Sequence, residues 1–228
     1  NIYKGKMNMQ EYIKLNNEVL SKYKSTGQID RELDKLATKK YFLEVINTKV
    51  RHFITLKEKL NYLVEHDYYE EEFLDKYSFD FIKSLFKYAY SQKFRFPSFM
   101  AASKFYDTDA MKSKDEKEIL EKYEDRICIA ALYLADGNEQ LALDSVEAML
   151  SAYQPATPTI LNAGKKARGE LVSCYKIQMD DSMNSISANI GYCLELSRLG
   201  GGVGVGLTDL RPMGDPIKGI ENRASGIL

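Results

Sequence analysis

The first two thirds of the chain carry apolar residues at a spacing close to 3.6, which is the repeat of one helix face. Residues 9–23, for example, place Tyr12, Leu15 and Val19 on one side. Residues 115–134 begin with a charged turn and continue as a dense apolar run. The pattern predicts helices over residues 9–23, 30–48, 56–66, 70–76, 78–92, 97–106, 115–134 and 139–152.

Residue chemistry adds detail to three of these helices. Ser78 is expected to be an N-cap, and Pro97 a first helical residue, where its missing N–H does no harm. The helix over 30–48 is expected to turn six apolar residues inward: Leu33, Leu36, Ala37, Phe42, Leu43 and Ile46.

The pattern changes after residue 153, where four of the five prolines and most of the glycines lie. Residues 155–159 are expected to be extended and 161–164 to form a turn. Looser alternation predicts a strand over 171–179, then a helix over 182–199, a glycine break at 200–202, a short strand over 203–207 and a loop over 208–219. Strand, helix and strand in this order indicate an α/β domain at 154–228, following an all-helical domain at 1–153.

Composition narrows the class of protein. The chain of 228 residues is 44% hydrophobic, and its 32 Lys and Arg nearly balance its 33 Asp and Glu. We therefore expect a folded core and no overall attraction to nucleic acid or to anionic membranes. No apolar run approaches the roughly 20 residues that span a bilayer. Three scattered cysteines suit a reducing cytoplasm, and no Cys/His cluster indicates a metal site.

Cys174 lies in the middle of the predicted strand 171–179. By residue type alone, a buried cysteine acting as a small hydrophobe is the default interpretation. The polar neighbour Ser173, with Thr157 and the glycines nearby, favours redox chemistry instead. That chemistry needs an accessible thiol and a second thiol. Cys128 and Cys193 fall on apolar helix faces, so a partner is expected outside this chain.

The glycines at 200–206 do not form a dinucleotide fingerprint. That fingerprint runs strand, glycine-rich turn and helix, whereas here the order is helix, turn and strand. The glycines fit either a tight turn or a close approach of the backbone to a ligand. Gly164-Lys165-Lys166 lacks the earlier glycine and the Ser/Thr of a phosphate-binding loop.

Asp181, Ser182 and Met183 begin the predicted helix 182–199. A plain N-cap is one interpretation. The other is a nucleotide site, because a helix N-terminus favours phosphate and an Asp accepts ribose hydroxyls. Arg211 and Lys218, in the loop after the next strand, are candidates for a phosphate clamp, although basic loop residues are usually just solvated.

Together these segments resemble the large subunit of class I ribonucleotide reductase, most closely class Ib. An ordered set of motifs carries the resemblance: Gln-Pro-Ala-Thr-Pro-Thr at 154–159, Leu-Asn-Ala-Gly at 161–164, Arg-Gly-Glu-Leu-Val-Ser-Cys at 168–174, and residues 180–183, 196–198, 200–203, 210–211 and 216–219. Weaker matches at 76–79, 93–96, 104–106 and 123–126 extend it upstream.

The resemblance implies a role for each candidate residue. Cys174 would be one of the two redox-active cysteines that reduce the ribose and end as a disulfide. Thr157, Ser173 and Gly202 would contact the ribonucleoside diphosphate. A deoxynucleotide or ATP effector would bind Asp181, Ser182, Met183, Arg211 and Lys218, and the helix 182–199 would form a homodimer interface beside it.

The resemblance also implies parts that this sequence does not contain. Residues 154–228 would open a ten-stranded α/β barrel. The radical-site cysteine, the partner of Cys174 and the shuttle cysteines would follow Leu228, so the chain by itself is expected to be an inactive fragment. A small subunit with a dimetal centre would supply the radical, and an external dithiol of the thioredoxin or glutaredoxin type would restore the thiols. The chain itself would bind no metal.

Two further hypotheses remain open at this point. One is a nucleotide-binding regulatory module that keeps only the effector site. The other is a helical interaction domain in which residues 1–153 act alone. The reductase fragment and the regulatory module should both bind dTTP or dATP, whereas the helical interaction domain should not, so nucleotide binding separates them.

Overall fold

The computed structural model describes residues 10–153, 155–166 and 169–227. The predicted helix start at residue 9, and Gln154 and Arg168 of the motif, lie outside the described residues. The described chain forms two compact units, one of residues 10–156 with 163–166, the other of residues 157–162 with 169–227. Among the described residues, no helix is long and apolar enough to span a bilayer.

The first unit is helical, as predicted. Its α-helices are α1 (Glu11–Thr26), α2 (Arg31–Tyr41), α3 (Asn47–Lys49), α4 (Leu56–Glu65), α5 (Phe79–Ser91), α6 (Phe99–Lys104), α7 (Tyr123–Ala135) and α8 (Glu139–Leu150). A π-helical turn, Phe42–Ile46, joins α2 to α3, and a second, Phe105–Asp109, extends α6. Ser78 caps α5 as expected, since its side chain accepts a hydrogen bond from the Phe81 N–H.

The core of this unit is α7, in which Ile127 to Leu132 are fully buried. The prediction of one helix over 115–134 is wrong for its first eight residues. Ile119 instead forms bridges with Val50 and Lys112, and its N–H donates to Lys49 O at 2.9 Å. These long-range backbone bonds satisfy the segment outside a helix, so tertiary pairing overrides its helical propensity.

Four further predictions need local correction. The helix predicted from Pro97 starts at Phe99, because Ser98 caps it and Asp34 accepts the Phe99 N–H. Only Leu74–Lys76 of the segment 70–76 is helical, as a 3₁₀ turn. Leu36 and Leu43 are exposed rather than inward. A short helix, α9 (Thr159–Asn162), replaces part of the predicted extended segment and turn, and residues 163–164 form the turn.

A buried ionic network holds residues 163–166 in the first unit. The Glu121 carboxylate accepts hydrogen bonds from Tyr69 Oη at 2.6 Å and from Arg126 Nη1 at 3.1 Å, and both Glu121 and Arg126 are fully buried. Arg126 Nη2 donates to the Ala163 carbonyl. Lys165 Nζ donates to Asp109 O at 3.0 Å. The network therefore ties α7 to the segment that follows α9.

Lys165 makes the stability of this unit depend on pH. Burial lowers the pKa of Lys165 to about 8, against the opposing effect of Glu121. Between this value and the unfolded pKa of about 10.4, the unfolded chain binds more protons, so this group adds stability as the pH rises. We expect wild type to gain about 2 kcal/mol over Lys165→Met between pH 8 and pH 10.

Urea unfolding of the two proteins at both pH values measures this gain. Burial raises the pKa of Cys128, so this thiol lowers the stability of both proteins over the same pH interval. Its effect cancels when the two proteins are compared. Lys166→Met is the matched control, because Lys166 is exposed and pairs with Asp67 at 2.9 Å. A constant difference between wild type and Lys165→Met across this range would contradict the prediction.

The second unit contains the predicted strand, helix and strand. Strand β1 (Cys174–Gln178) runs parallel to β2 (Gly202–Gly206), and α10 (Met183–Arg198) connects them and packs against both. Gly200 ends the helix with φ of +86°, a conformation that glycine adopts without strain. A side chain at Gly201 would overlap the Tyr175 ring, so this glycine lets the helix end pass close to β1.

Candidate functional site

Three of the predicted substrate and redox residues meet at the start of the two strands. Cys174 is the first residue of β1, and in the parallel register it lies opposite Gly202, the first residue of β2. The Gly202 N–H donates to the Ser173 carbonyl at 2.7 Å. The Ser173 hydroxyl lies 3.9 Å from the Cys174 sulfur. Pairing of the strands therefore places these residues side by side, although they are far apart in sequence.

Cys174 begins β1, which corrects its expected position in the middle of the strand, and its side chain is exposed, which removes the alternative of a buried cysteine. Side chains alternate along β1, with Cys174, Lys176 and Gln178 exposed and Tyr175 and Ile177 partly covered. The Tyr175 ring lies beside Gly201 at the end of α10. Cys174 thus lies on the face opposite to the one bearing Tyr175, and it is exposed there.

The other two cysteines have different surroundings. Cys128 is fully buried in α7, its sulfur lies 3.9 Å from Leu85 O, and burial raises the pKa of its thiol. Cys193 is partly buried on α10. All three cysteines of the chain are free. Of the three, Cys174 therefore has the accessibility that thiol exchange requires.

Thr157, the fourth predicted substrate residue, is exposed and lies two residues before α9. The Thr159 hydroxyl donates to Leu171 O at 2.8 Å, and the Asn162 amide donates to Glu170 O at 2.9 Å. These bonds tie the Thr157 segment to the residues that lead into Ser173. Thr159 and Asn162 were not among the predicted site residues; the available signal was their residue type, because Thr and Asn often bond to nearby backbone.

The predicted effector residues gather around the start of α10. The Ser182 hydroxyl caps the helix by accepting the Ser185 N–H at 3.1 Å. Asp181 Oδ2 and Arg211 Nε form an ion pair at 2.7 Å, each side chain about one third exposed. This ion pair links the start of α10 to the loop after β2, and within that loop Arg211 Nη1 donates to Pro216 O at 2.9 Å.

The remaining two effector candidates are less closely joined. Met183 is 76% exposed at the first helical position. Lys218 is exposed in a turn closed by hydrogen bonds between Ile217 and Ile220, with φ of +53°. It follows Pro216 by two residues, and no bond of its side chain is recorded within the described chain. In the described residues no group of three or more metal-ligand side chains occurs.

Comparison with known families defines the class of protein. The model of the ribonucleotide reductase N-terminal domain matches residues 12–94, that of the reductase all-alpha domain matches 95–168, and that of the reductase barrel domain matches 172–228. The helical unit and the parallel β1–α10–β2 unit are the architectures that these models describe. The chain belongs to the family of ribonucleotide reductase large subunits, which confirms the resemblance seen in its motifs.

Individual relatives agree with this assignment. The chain is 52% identical over 218 residues to the ribonucleoside-diphosphate reductase NrdEB subunit alpha of Bacillus subtilis, covering 95% of the chain and 20% of that protein. It is 51% identical over 219 residues to a second B. subtilis ribonucleoside-diphosphate reductase subunit alpha, and the match covers 96% of the chain and 31% of that protein. It is 44% identical over 200 residues to the Mycoplasma pneumoniae subunit alpha, and the match covers 87% of the chain and 28% of that protein. The chain therefore spans between a fifth and a third of these relatives.

Proposed function

We propose that this chain is the N-terminal part of a reductase catalytic subunit that converts ribonucleoside diphosphates into deoxyribonucleoside diphosphates for DNA synthesis. The observation that carries the proposal is the exposed Cys174 thiol, beside Ser173 and in register with Gly202. We also propose that the helical domain ends at residue 153 and the barrel domain begins at residue 154. The proposed location of the protein is the cytoplasm.

The chemistry explains why a thiol is needed at this position. Replacing the ribose 2′-hydroxyl by hydrogen and releasing it as water takes two electrons and two protons. Two thiols supply both when they form a disulfide, and Cys174 would be one of them. An external dithiol of the thioredoxin or glutaredoxin type then reduces that disulfide by exchange.

Substrate binding rests on the same corner of the second unit. Ser173 offers a hydroxyl, Gly202 leaves the backbone open beside it, and Thr157 adds a second hydroxyl on a segment tied to residues 170–171. We propose that these groups contact the ribonucleoside diphosphate. The initiating radical would come from a small subunit with a dimetal centre. The 228-residue chain alone, with one exposed thiol, is expected to show no turnover.

An effector site at the start of α10 is the second part of the proposal. The N-terminus of a 16-residue helix attracts phosphate, and Arg211 is held beside it by its ion pair with Asp181. We propose that Lys218, two residues after Pro216, adds a second cation. Asp181 would take ribose hydroxyls once a phosphate replaces it as the partner of Arg211. Ile190 and Leu194 are exposed one helical turn apart on the same side of α10, which supports its use as a homodimer interface.

Titration calorimetry of the dimeric chain with dTTP and dATP tests this site. We expect Arg211→Ala to weaken binding by about 10- to 100-fold, because a charge-assisted bond to phosphate is worth about 1.5–3 kcal/mol. Asp181→Ala should weaken it less. Arg31→Ala, at an exposed position of the first unit, is the control and should change little.

The same titration distinguishes the alternatives. Binding in wild type without any reductase activity of the complete subunit would favour a regulatory module that keeps only the effector site. If folded, dimeric wild type bound neither nucleotide, or both variants bound as well as wild type, the assigned effector residues would be wrong. That result would favour a helical interaction domain.

A further inference from the structure

A basic cleft of about 350 Å³ lies in the helical unit, apart from the proposed catalytic and effector residues. It is formed by residues 50–56, the start of α4, one face of α5 and the residues around Lys122. Six basic side chains and a single acid, Asp125, line it; the basic residues are Arg51, His52, Lys59, Lys83, Lys87 and Lys122. Because the whole chain has a formal net charge of −1, this is a local concentration of positive charge.

Part of this charge is already neutralised inside the protein. Asp125 is buried, and its carboxylate accepts Lys59 Nζ at 2.5 Å and Tyr90 Oη at 2.9 Å. Arg51 pairs with Glu118 at 3.1 Å. The acid of the cleft is therefore fully engaged and offers nothing to the remaining cations.

Of the remaining lysines, Lys122 is half-buried, and Lys83 and Lys87 are the exposed ones. They lie four residues apart on α5, both exposed, and within the described chain no ion pair or hydrogen bond of either side-chain nitrogen is recorded. Two like charges at this helical spacing repel each other and destabilise the helix slightly. An anion placed between them removes that repulsion, and the exposed His52 on the facing segment adds a further basic group.

The aromatic groups of the cleft are not arranged for stacking on a nucleotide base. The Phe53 ring already lies against Tyr62, with 5.4 Å between centroids, and under the Arg51 guanidinium at 5.7 Å. Tyr90 is held by its bond to Asp125. The apolar lining comes from Leu56, Phe86 and Leu120, and Ile54 is 92% exposed at the edge. These features suit an aliphatic or aromatic side chain flanked by carboxylates.

We propose that the basic cleft is a docking surface for an acidic protein segment that carries at least one apolar side chain. Charge complementarity selects the occupant: carboxylates pair with Lys83 and Lys87, and the apolar residue contacts Ile54 and the lining. The cleft lies outside the residues of the proposed active site, so this surface serves recruitment of a partner protein.

The test uses the 228-residue chain and a fluorescein-labelled synthetic peptide of six acidic residues around one leucine and one phenylalanine. Fluorescence anisotropy at low salt is expected to show saturable binding that weakens as salt screens the charges. Lys83→Glu/Lys87→Glu should weaken binding at least about tenfold, because two attractive pairs become repulsive. Ile54→Ser should weaken it about threefold through the lost apolar contact.

Lys35→Glu/Lys39→Glu is the matched control, because these exposed lysines have the same spacing on α2 and the same change in charge. It should alter binding less than about twofold. Circular dichroism checks that each variant is folded. If Lys83→Glu/Lys87→Glu is unfolded, Lys83→Ala/Lys87→Ala takes its place.

Three results would overturn the proposal. The first is no saturable binding by wild type. The second is equal weakening by the two double variants, which would indicate diffuse charge attraction. The third is displacement of the peptide by ATP at lower concentrations than by unlabelled peptide, which would make the cleft a phosphate site.

Discussion

Cys174→Ser is expected to reduce multiple turnover of the complete reductase subunit to the background of the assay. In the proposed reaction, formation of a disulfide at Cys174 delivers two electrons to the ribose, and a serine hydroxyl cannot form that bond, so the reaction would lose its reductant. The measurement is deoxyribonucleoside diphosphate formed per subunit, with the radical-generating subunit and an external dithiol present. Binding of dTTP should stay within about twofold of wild type, because Cys174 lies outside the proposed effector residues.

Cys128→Ala serves as the control for this experiment. Cys128 is fully buried in α7, so its loss leaves a small cavity and should leave turnover intact. In the 228-residue chain, Cys174→Ser should also remove the fast phase of the reaction with a thiol reagent. Normal multiple turnover by Cys174→Ser would rule out the proposed role.

Glu121→Gln is expected to destabilise the helical unit by about 3–5 kcal/mol, because it leaves Arg126 as a buried charge without a counter-ion. Within the described structure, Glu121 is the carboxylate that pairs with Arg126, and Arg126 Nε has no hydrogen-bond partner even with Glu121 present. Burial alone would raise the pKa of Glu121, but Arg126 and Lys165 outweigh it and lower that pKa. The carboxylate is therefore charged at neutral pH.

Urea unfolding at pH 7 measures the loss. Glu118→Gln is the matched control, since Glu118 forms an exposed pair with Arg51 and should cost less than about 1 kcal/mol. The double variant Glu121→Gln/Arg126→Met should recover much of the stability, because it removes both buried charges. Equal losses for Glu121→Gln and Glu118→Gln would show that the buried network contributes little.

Helical periodicity in the sequence predicted most helices of the first unit. The helices predicted over 9–23, 56–66 and 139–152 all form, and Ser78 and Ser182 cap α5 and α10 as expected. The pattern was misleading over 115–122. A charged segment there has helical propensity, but pairing of Ile119 with Val50 uses its backbone groups instead.

The sequence nominated the residues of the candidate site, whose roles stay predictions, but it did not give their arrangement. The motifs identified Ser173, Cys174, Gly202, Asp181 and Arg211 one by one. Their meeting depends on the parallel register that sets Cys174 opposite Gly202, and on the ion pair between Asp181 and Arg211. The bonds from Thr159 and Asn162 to residues 170–171 were not anticipated, because the segment was expected to be extended and then to turn.

The sequence by itself determined the family, the helical and α/β parts and the residue types available for chemistry, because these follow from local spacing and from ordered motifs. Only the tertiary structure decided that the Cys174 side chain is exposed, that Glu121 and Arg126 form a buried pair, and that Lys83 and Lys87 line a basic cleft. Burial and charge pairing depend on contacts between residues distant in the chain. Local sequence patterns do not encode these contacts, which is why residue type alone left a buried cysteine open as an alternative at position 174.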